Sequence, residues 1–122
     1  MNQFDFKNRT AVITGGAQGF GLDIAKRFLD SGAKVFIWDI DEKLLKSTVK
    51  ELKNPNLFYN VVDVSNYKDV EKNVTEITLK SNIDILINNA GITGPTAPVW
   101  EYEVEMWNKI VQINLMGTFN CC

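Results

Sequence analysis

Short apolar runs alternate with amphipathic stretches along the chain. Thr10–Thr14 (TAVIT), Lys34–Trp38 (KVFIW), Leu57–Val62 (LFYNVV) and Ile83–Ile87 (IDILI) are brief and mostly β-branched, aromatic or aliphatic. Runs of that length and character read as buried strands. Between them the apolar residues recur at helical spacing. Phe20–Ser31 places Ile24, Ala25, Phe28 and Leu29 on one face and stops at Gly32. Asp41–Lys53 carries Leu44, Leu45, Val49 and Leu52 and ends at Asn54–Pro55. Asn66–Lys80 carries Val70, Val74 and Ile77, with Ser65 or Asn66 as its N-cap. A loop rich in Gly, Thr and Pro runs from Asn88 to about Pro98, and residues 101–122 read as a fourth helix. Strands alternating with helices predict right-handed βαβ units, hence an α/β fold with a parallel sheet.

Composition narrows the chemistry. A chain of 122 residues, 45% hydrophobic, suits one domain with a real core. Thirteen basic residues against 15 acidic ones give a net charge of -2, with no general attraction for nucleic acid or an acidic membrane surface. No apolar run is long enough to span a bilayer and the N-terminus lacks a signal-peptide core, so the expected compartment is the cytoplasm. There is no histidine, which excludes a Ser–His–Asp triad and histidine-based acid–base catalysis; no metal site is expected. The two cysteines, Cys121 and Cys122, are adjacent, a separation too short for ordinary disulfide geometry.

Residues 14–21 read TGGAQGFG, between the first predicted strand and the first predicted helix. Glycines there allow a tight turn and close approach of a phosphate to backbone amides, and a helix N-terminus adds partial positive charge. A P-loop would need Lys and then Ser or Thr after the last glycine, but Leu22 and Asp23 follow Gly21. The G-x-G-x-x-G spacing fails as well, since Ile24 stands at the third glycine position. What remains is T-G-x-x-x-G-x-G, in Thr14, Gly15, Gly19 and Gly21. Asp39 closes the second strand, where a carboxylate accepts hydrogen bonds from the adenosine ribose of a dinucleotide. The same charge repels the extra phosphate of NADP. Ile40 and Gln18 stand where a basic group would welcome that phosphate, so NAD is favoured over NADP.

These residues, with WDI at 38–40, DV at 63–64, NNAG at 88–91 and Asn114 in QINLMGTF, resemble the N-terminal part of the short-chain dehydrogenase/reductase family. That broad group includes 3-oxoacyl-carrier-protein reductases and polyol and hydroxysteroid dehydrogenases. The resemblance extends over essentially all of residues 1–122 and implies a partial Rossmann-type three-layer domain with strand order 3-2-1-4. It implies a pyrophosphate loop in Gly15, Gly19 and Gly21, with the Phe20 backbone near the pyrophosphate and nicotinamide side. It sets Asp39 and Ile40 by the adenosine ribose and Asp63 and Val64 beside the adenine. Asn88, Ala90 and Gly91 are implied to line the ribose, and Asn88 and Asn89 could equally satisfy backbone groups at a strand end. Asn114 is implied to hold a water in a catalytic proton relay.

The family interconverts ketones and secondary alcohols by hydride transfer, using a serine, a tyrosine and a lysine four residues after the tyrosine. An unperturbed tyrosine titrates near ~10 and needs a nearby cation to work at neutral pH. Here Tyr59, Tyr67 and Tyr102 are followed four residues later by Asp63, Glu71 and Met106, and every serine precedes Asn114. The expectation is therefore an NAD-binding N-terminal portion of an oxidoreductase, inactive alone. The alternative is a remnant that binds nucleotide or a partner without catalysis. An open apolar strand edge at Ile83–Ile87, and Trp100, Met106, Trp107, Ile110 and Met116 short of cover, add an expectation of homo-oligomers.

Overall fold

The computed structural model describes residues 2–122. Four parallel strands, β1 (Thr10–Thr14), β2 (Lys34–Asp39), β3 (Leu57–Val61) and β4 (Ile85–Ile87), form one sheet in the order β3-β2-β1-β4. The register aligns Ile13 with Ile37 and Ile87, and Ile37 with Tyr59. Side chains alternate along each strand, so each face collects its own set. Ile13, Val35, Ile37 and Leu57 form one buried cluster, while Val12 and Trp38 belong to another.

Helices α1 (Gly19–Asp30) and α2 (Glu42–Leu52) cover the first face with Ala25, Leu29 and Leu45. Helix α3 (Tyr67–Thr78) covers the second with Val70 and Ile77. The predicted α/β three-layer arrangement and strand order are both present. Asp41 caps α2 by accepting the Leu44 N–H at 3.0 Å. Asn66 rather than Ser65 caps α3, accepting the Asp69 N–H at 3.2 Å, because the Ser65 hydroxyl donates to Asp63 at 2.6 Å.

The structure departs from the sequence pattern at two elements. Strand β4 starts at Ile85 rather than Ile83. The Asp84 N–H donates to the Thr10 carbonyl at 2.9 Å, and its carboxylate accepts the Thr10 N–H at 2.8 Å. A side chain thus stands where the backbone ladder would continue. The fourth helix is not one continuous rod from residue 101. A 3-10 turn at Val99–Glu101 precedes α4 (Val104–Val111), a π turn spans Gln112–Met116, and α5 (Gly117–Cys121) follows. Gly117 brings α5 close to Val64, where a Cβ would lie 2.7 Å from Val64 Cγ2.

Strand β4 pairs with β1 alone among the described residues. Trp100 and Trp107 are exposed, while Met106, Ile110 and Met116 are half-buried. Among the described residues no helix is long and apolar enough to cross a membrane.

Leu45 is fully buried between α2 and the sheet. Leu45→Ala should lower the unfolding free energy by about 2–5 kcal/mol, read as a shift in the urea midpoint. Both cysteines are free, and Cys121 packs half-buried against the second cluster. Burial, with the neighbouring Cys122 adding to it, pushes the Cys121 thiol from 9.0 up to about 11. The unfolded chain releases this proton first, so the contribution to stability is intact below pH 9.0 and lost as pH rises through about 11. The urea midpoint should fall across that interval. At about pH 8 iodoacetamide should modify the exposed Cys122 well before Cys121, the thiolate being the nucleophile.

Candidate functional site

The C-terminal ends of β1 and β4 are tied together by two side chains. Thr14 is buried, and its hydroxyl oxygen accepts the N–H groups of Asn89 at 3.1 Å and Ala90 at 3.0 Å. In return the Asn89 side-chain amide donates to the carbonyls of Thr14 and Gly15, each at 3.1 Å. The glycine loop and the turn after β4 are therefore held against each other. Gly15 has φ of +62°, a region that costs glycine little and other residues much. Gly21 packs directly behind it, where a Cβ would overlap the Gly15 carbonyl oxygen.

The loop is tied just as firmly to β2. The Gly16 N–H donates to the Trp38 carbonyl at 3.1 Å, and the Ala17 N–H reaches Asp39 Oδ2 at 3.4 Å. The buried Thr48 hydroxyl donates to the Ala17 carbonyl at 3.1 Å. Asp39 Oδ1 accepts the N–H groups of Ile40 at 2.9 Å and Asp41 at 3.3 Å. These bonds fix the Asp39 carboxylate at the loop.

Helix α1 starts at Gly19 without a side-chain cap and with no acidic residue in its first turn. Helices α2 and α3 each have both. The leading N–H groups of α1 thus keep their partial positive charge without a side-chain acceptor, the electrostatic profile of an anion site. Gly19 has φ of +58°, and a Cβ there would meet no protein atom within 4 Å. That backbone angle favours glycine, and the space beside it is open.

These elements surround a cavity of about 690 Å³, within the range of small-molecule sites. Of the residues singled out by sequence, Gly15, Gly19, Phe20, Asp39, Ile40, Asp63, Val64, Ala90 and Gly91 line it. Asp63 Oδ1 accepts from both the N–H and the hydroxyl of Ser65. Three others do not line it. Gly21 supports the loop from behind. Asn88 turns toward the chain end, its amide 3.5 Å from Cys122 Sγ, and Asn89 is the asparagine at the wall. Asn114, within the π turn, closes a two-bond clip on the loop after β4. Its Oδ1 accepts the Ile92 N–H at 2.8 Å, and its Nδ2 donates to the Ile92 carbonyl at 2.9 Å.

The cavity also uses residues that sequence reading did not assign to it, among them Trp38, Asp41, Lys109, Gln112 and Ile113. Asp41 reaches the cavity as the N-cap residue of α2. Lys109, Gln112 and Ile113 arrive from a segment remote in sequence, and in the QINLMGTF stretch the sequence singled out Asn114 alone. Among the described residues no group of three or more His, Cys, Asp or Glu could hold a metal ion.

Residues 9–122 match the family described as short chain dehydrogenase. The NAD(+)-dependent 2-dehydro-3-deoxy-L-rhamnonate dehydrogenase of a Sphingomonas species is 36% identical, over 95% of this chain and 46% of the relative. A 3-oxoacyl-acyl-carrier-protein reductase of Chlamydia muridarum is 34% identical, over 94% of this chain and 48% of the relative. Among solved structures, a glucose/ribitol dehydrogenase of the short-chain dehydrogenase/reductase class from Brucella melitensis superposes with a TM-score of 0.92 at 34% identity. It covers 99% of this chain and 52% of that one. The chain thus spans about half the length of the curated relatives it matches.

The Asn114 clip yields a local test. Asn114→Ala removes both bonds to Ile92 and should cost roughly 1 kcal/mol, since the pair is exposed. Hydrogen exchange should show faster exchange at the Ile92 amide, while amides in β1 and β2 keep their protection.

Proposed function

Because this chain belongs to the short-chain dehydrogenase family, we propose that it is the NAD-binding N-terminal portion of an oxidoreductase interconverting a ketone and a secondary alcohol. The observation that carries the reading is the single cavity shared by the uncapped α1 N-terminus, Asp39 and the turn after β4. The residues fit a dinucleotide in chemical kind. The backbone amides of the loop at Gly15 and Gly19 suit a pyrophosphate, and Asp39 suits ribose hydroxyls. Asp63 and Val64 suit an adenine edge, with Asp63 Oδ2 free of the Ser65 bonds to accept its amino group. When bound, NAD supplies the acceptor or donor of a hydride.

The family binds NAD or NADP. NAD is the choice proposed here because carboxylates, and no arginine, stand at the ribose end. That one relative is named as NAD(+)-dependent supports it. Asn114 would serve the proton relay through the backbone of Ile92, which it holds. The serine, tyrosine and lysine of the family's chemistry have no counterparts among these 122 residues. Self-association belongs to the same proposal: Trp107, Leu115 and Phe119 leave apolar surface on the last helical segments. So does a cytoplasmic location.

Calorimetric titration is the test. NAD should bind the unmutated chain more tightly than NADP, and Asp39→Ala should weaken NAD roughly 10-fold while narrowing that difference. Equal affinity of the unmutated chain for both nucleotides would contradict the role given to Asp39.

A further inference from the structure

Strand β3 is one edge of the sheet. Residues Leu57–Val61 (LFYNV) contain no charge and no proline, and they pair with β2 in unbroken register. The Val35 N–H donates to the Asn56 carbonyl at 2.8 Å, and the Val62 N–H donates to the Asp39 carbonyl at 3.0 Å. The even-numbered residues of this stretch therefore bond β2, and the N–H and C=O groups of Tyr59 and Val61 point outward. Among the described residues nothing bonds them. Side chains at this rim are partly bare as well: Phe58 is 39% exposed and Val61 43%. Such a rim is a template for a further strand, and natural sheets usually interrupt it with a charge, a proline or a bulge.

The charge stands on the flanks instead. Lys43, Lys46, Lys50 and the C-cap Lys53 recur at helical spacing along α2, the helix packed on β3, and all four are exposed. Lys46 lies by Tyr59. It holds its proton more tightly than a free lysine, first through its bond to Glu42 and to a lesser degree through Tyr59. Among the described residues Lys46 alone of the four is in an ion pair, with Glu42 at 2.9 Å. On the other face of the sheet, Lys34 Nζ sits 5.5 Å from the centre of the Phe58 ring. An uncharged ladder thus runs between cations on both faces, in a chain whose net charge is -2.

We propose that the outer edge of β3 receives an extended acidic segment of another polypeptide, which adds a strand beside Tyr59 and Val61 and sets its carboxylates against the flanking lysines. Nucleic acid would answer the lysines but not the alternating N–H and C=O groups. A second copy would answer the ladder. Antiparallel pairing through the same edge, however, puts both α2 helices on one face, with one lysine stripe beside the other. An acidic strand satisfies both features. None of Leu57–Val61 lines the cavity, so the inference does not rest on the dinucleotide reading.

The probe is an end-blocked peptide of four Glu-Val repeats, with four Lys-Val repeats as the control. Binding to the whole chain is followed by fluorescence anisotropy. The Glu-Val peptide should bind at least about tenfold more tightly than the control at low salt, and less tightly at about 1 M NaCl. Its binding should slow hydrogen exchange at the Tyr59 and Val61 amides at least about fivefold. Val61→Pro removes one outward donor and no bond to β2, a change that edge strands accept, and should weaken the peptide at least about fivefold. Lys50→Glu with Lys53→Glu should do the same with the circular dichroism unchanged. Equal binding of the two peptides overturns the proposal. So does binding without slower exchange at Tyr59 and Val61, which marks a purely electrostatic contact that nucleic acid would share. Self-association that Val61→Pro abolishes assigns the edge to a second copy instead. The exchange measurement uses the unmutated chain, so the proposal stands or falls on it even where a variant does not fold.

Discussion

The site depends on the lashing between Thr14 and Asn89. One buried hydroxyl takes two backbone N–H groups from the turn after β4, and one side-chain amide takes two carbonyls from the end of β1. Adjacent parallel strands would otherwise release their chains into unrelated loops. Here the loops are joined, and Gly21 fits behind the join only because it has no side chain. The polar groups at both strand ends are satisfied by each other, as buried polar groups must be.

Two kinds of charge divide the cavity. The positive character comes from backbone, the uncapped start of α1, with no basic side chain in its first turn competing for the space. The negative character comes from carboxylates whose positions are set by backbone N–H groups: Asp39 by Ala17, Ile40 and Asp41, and Asp41 by Leu44. Fixed dipoles and fixed charges need little rearrangement on binding, which is the sense in which such a site is preorganised. Helices α2 and α3 are capped by their own side chains, whereas α1 starts at the cavity with no side-chain cap.

The last helical segment shows how a local irregularity serves the site. The π turn at Gln112–Met116 interrupts the regular helix where Asn114 grips Ile92, and Gln112 and Ile113 of the same turn reach the cavity wall. Single π turns of this kind are associated with functional positions. Asn114 thus orders the loop on one side of the turn while its neighbours close the cavity on the other.

Hydrophobic periodicity was sufficient for the sheet. Four short apolar runs and three amphipathic stretches specify strand and helix, because period and length are local properties of sequence. The glycine loop and Asp39 were legible for a similar reason: a tight turn needs glycine, and a strand end has a fixed place beside it. Tertiary structure decided what periodicity could not. It shortened β4, because the Asp84 carboxylate replaced a ladder bond with Thr10. It chose Asn89 over Asn88 for the wall, since neighbouring residues at a strand end point opposite ways. It brought Lys109, Gln112 and Ile113 to the cavity from a segment remote in sequence. Residue types and spacing determined the fold class and the family; long-range hydrogen bonds and packing determined which residues line the cavity.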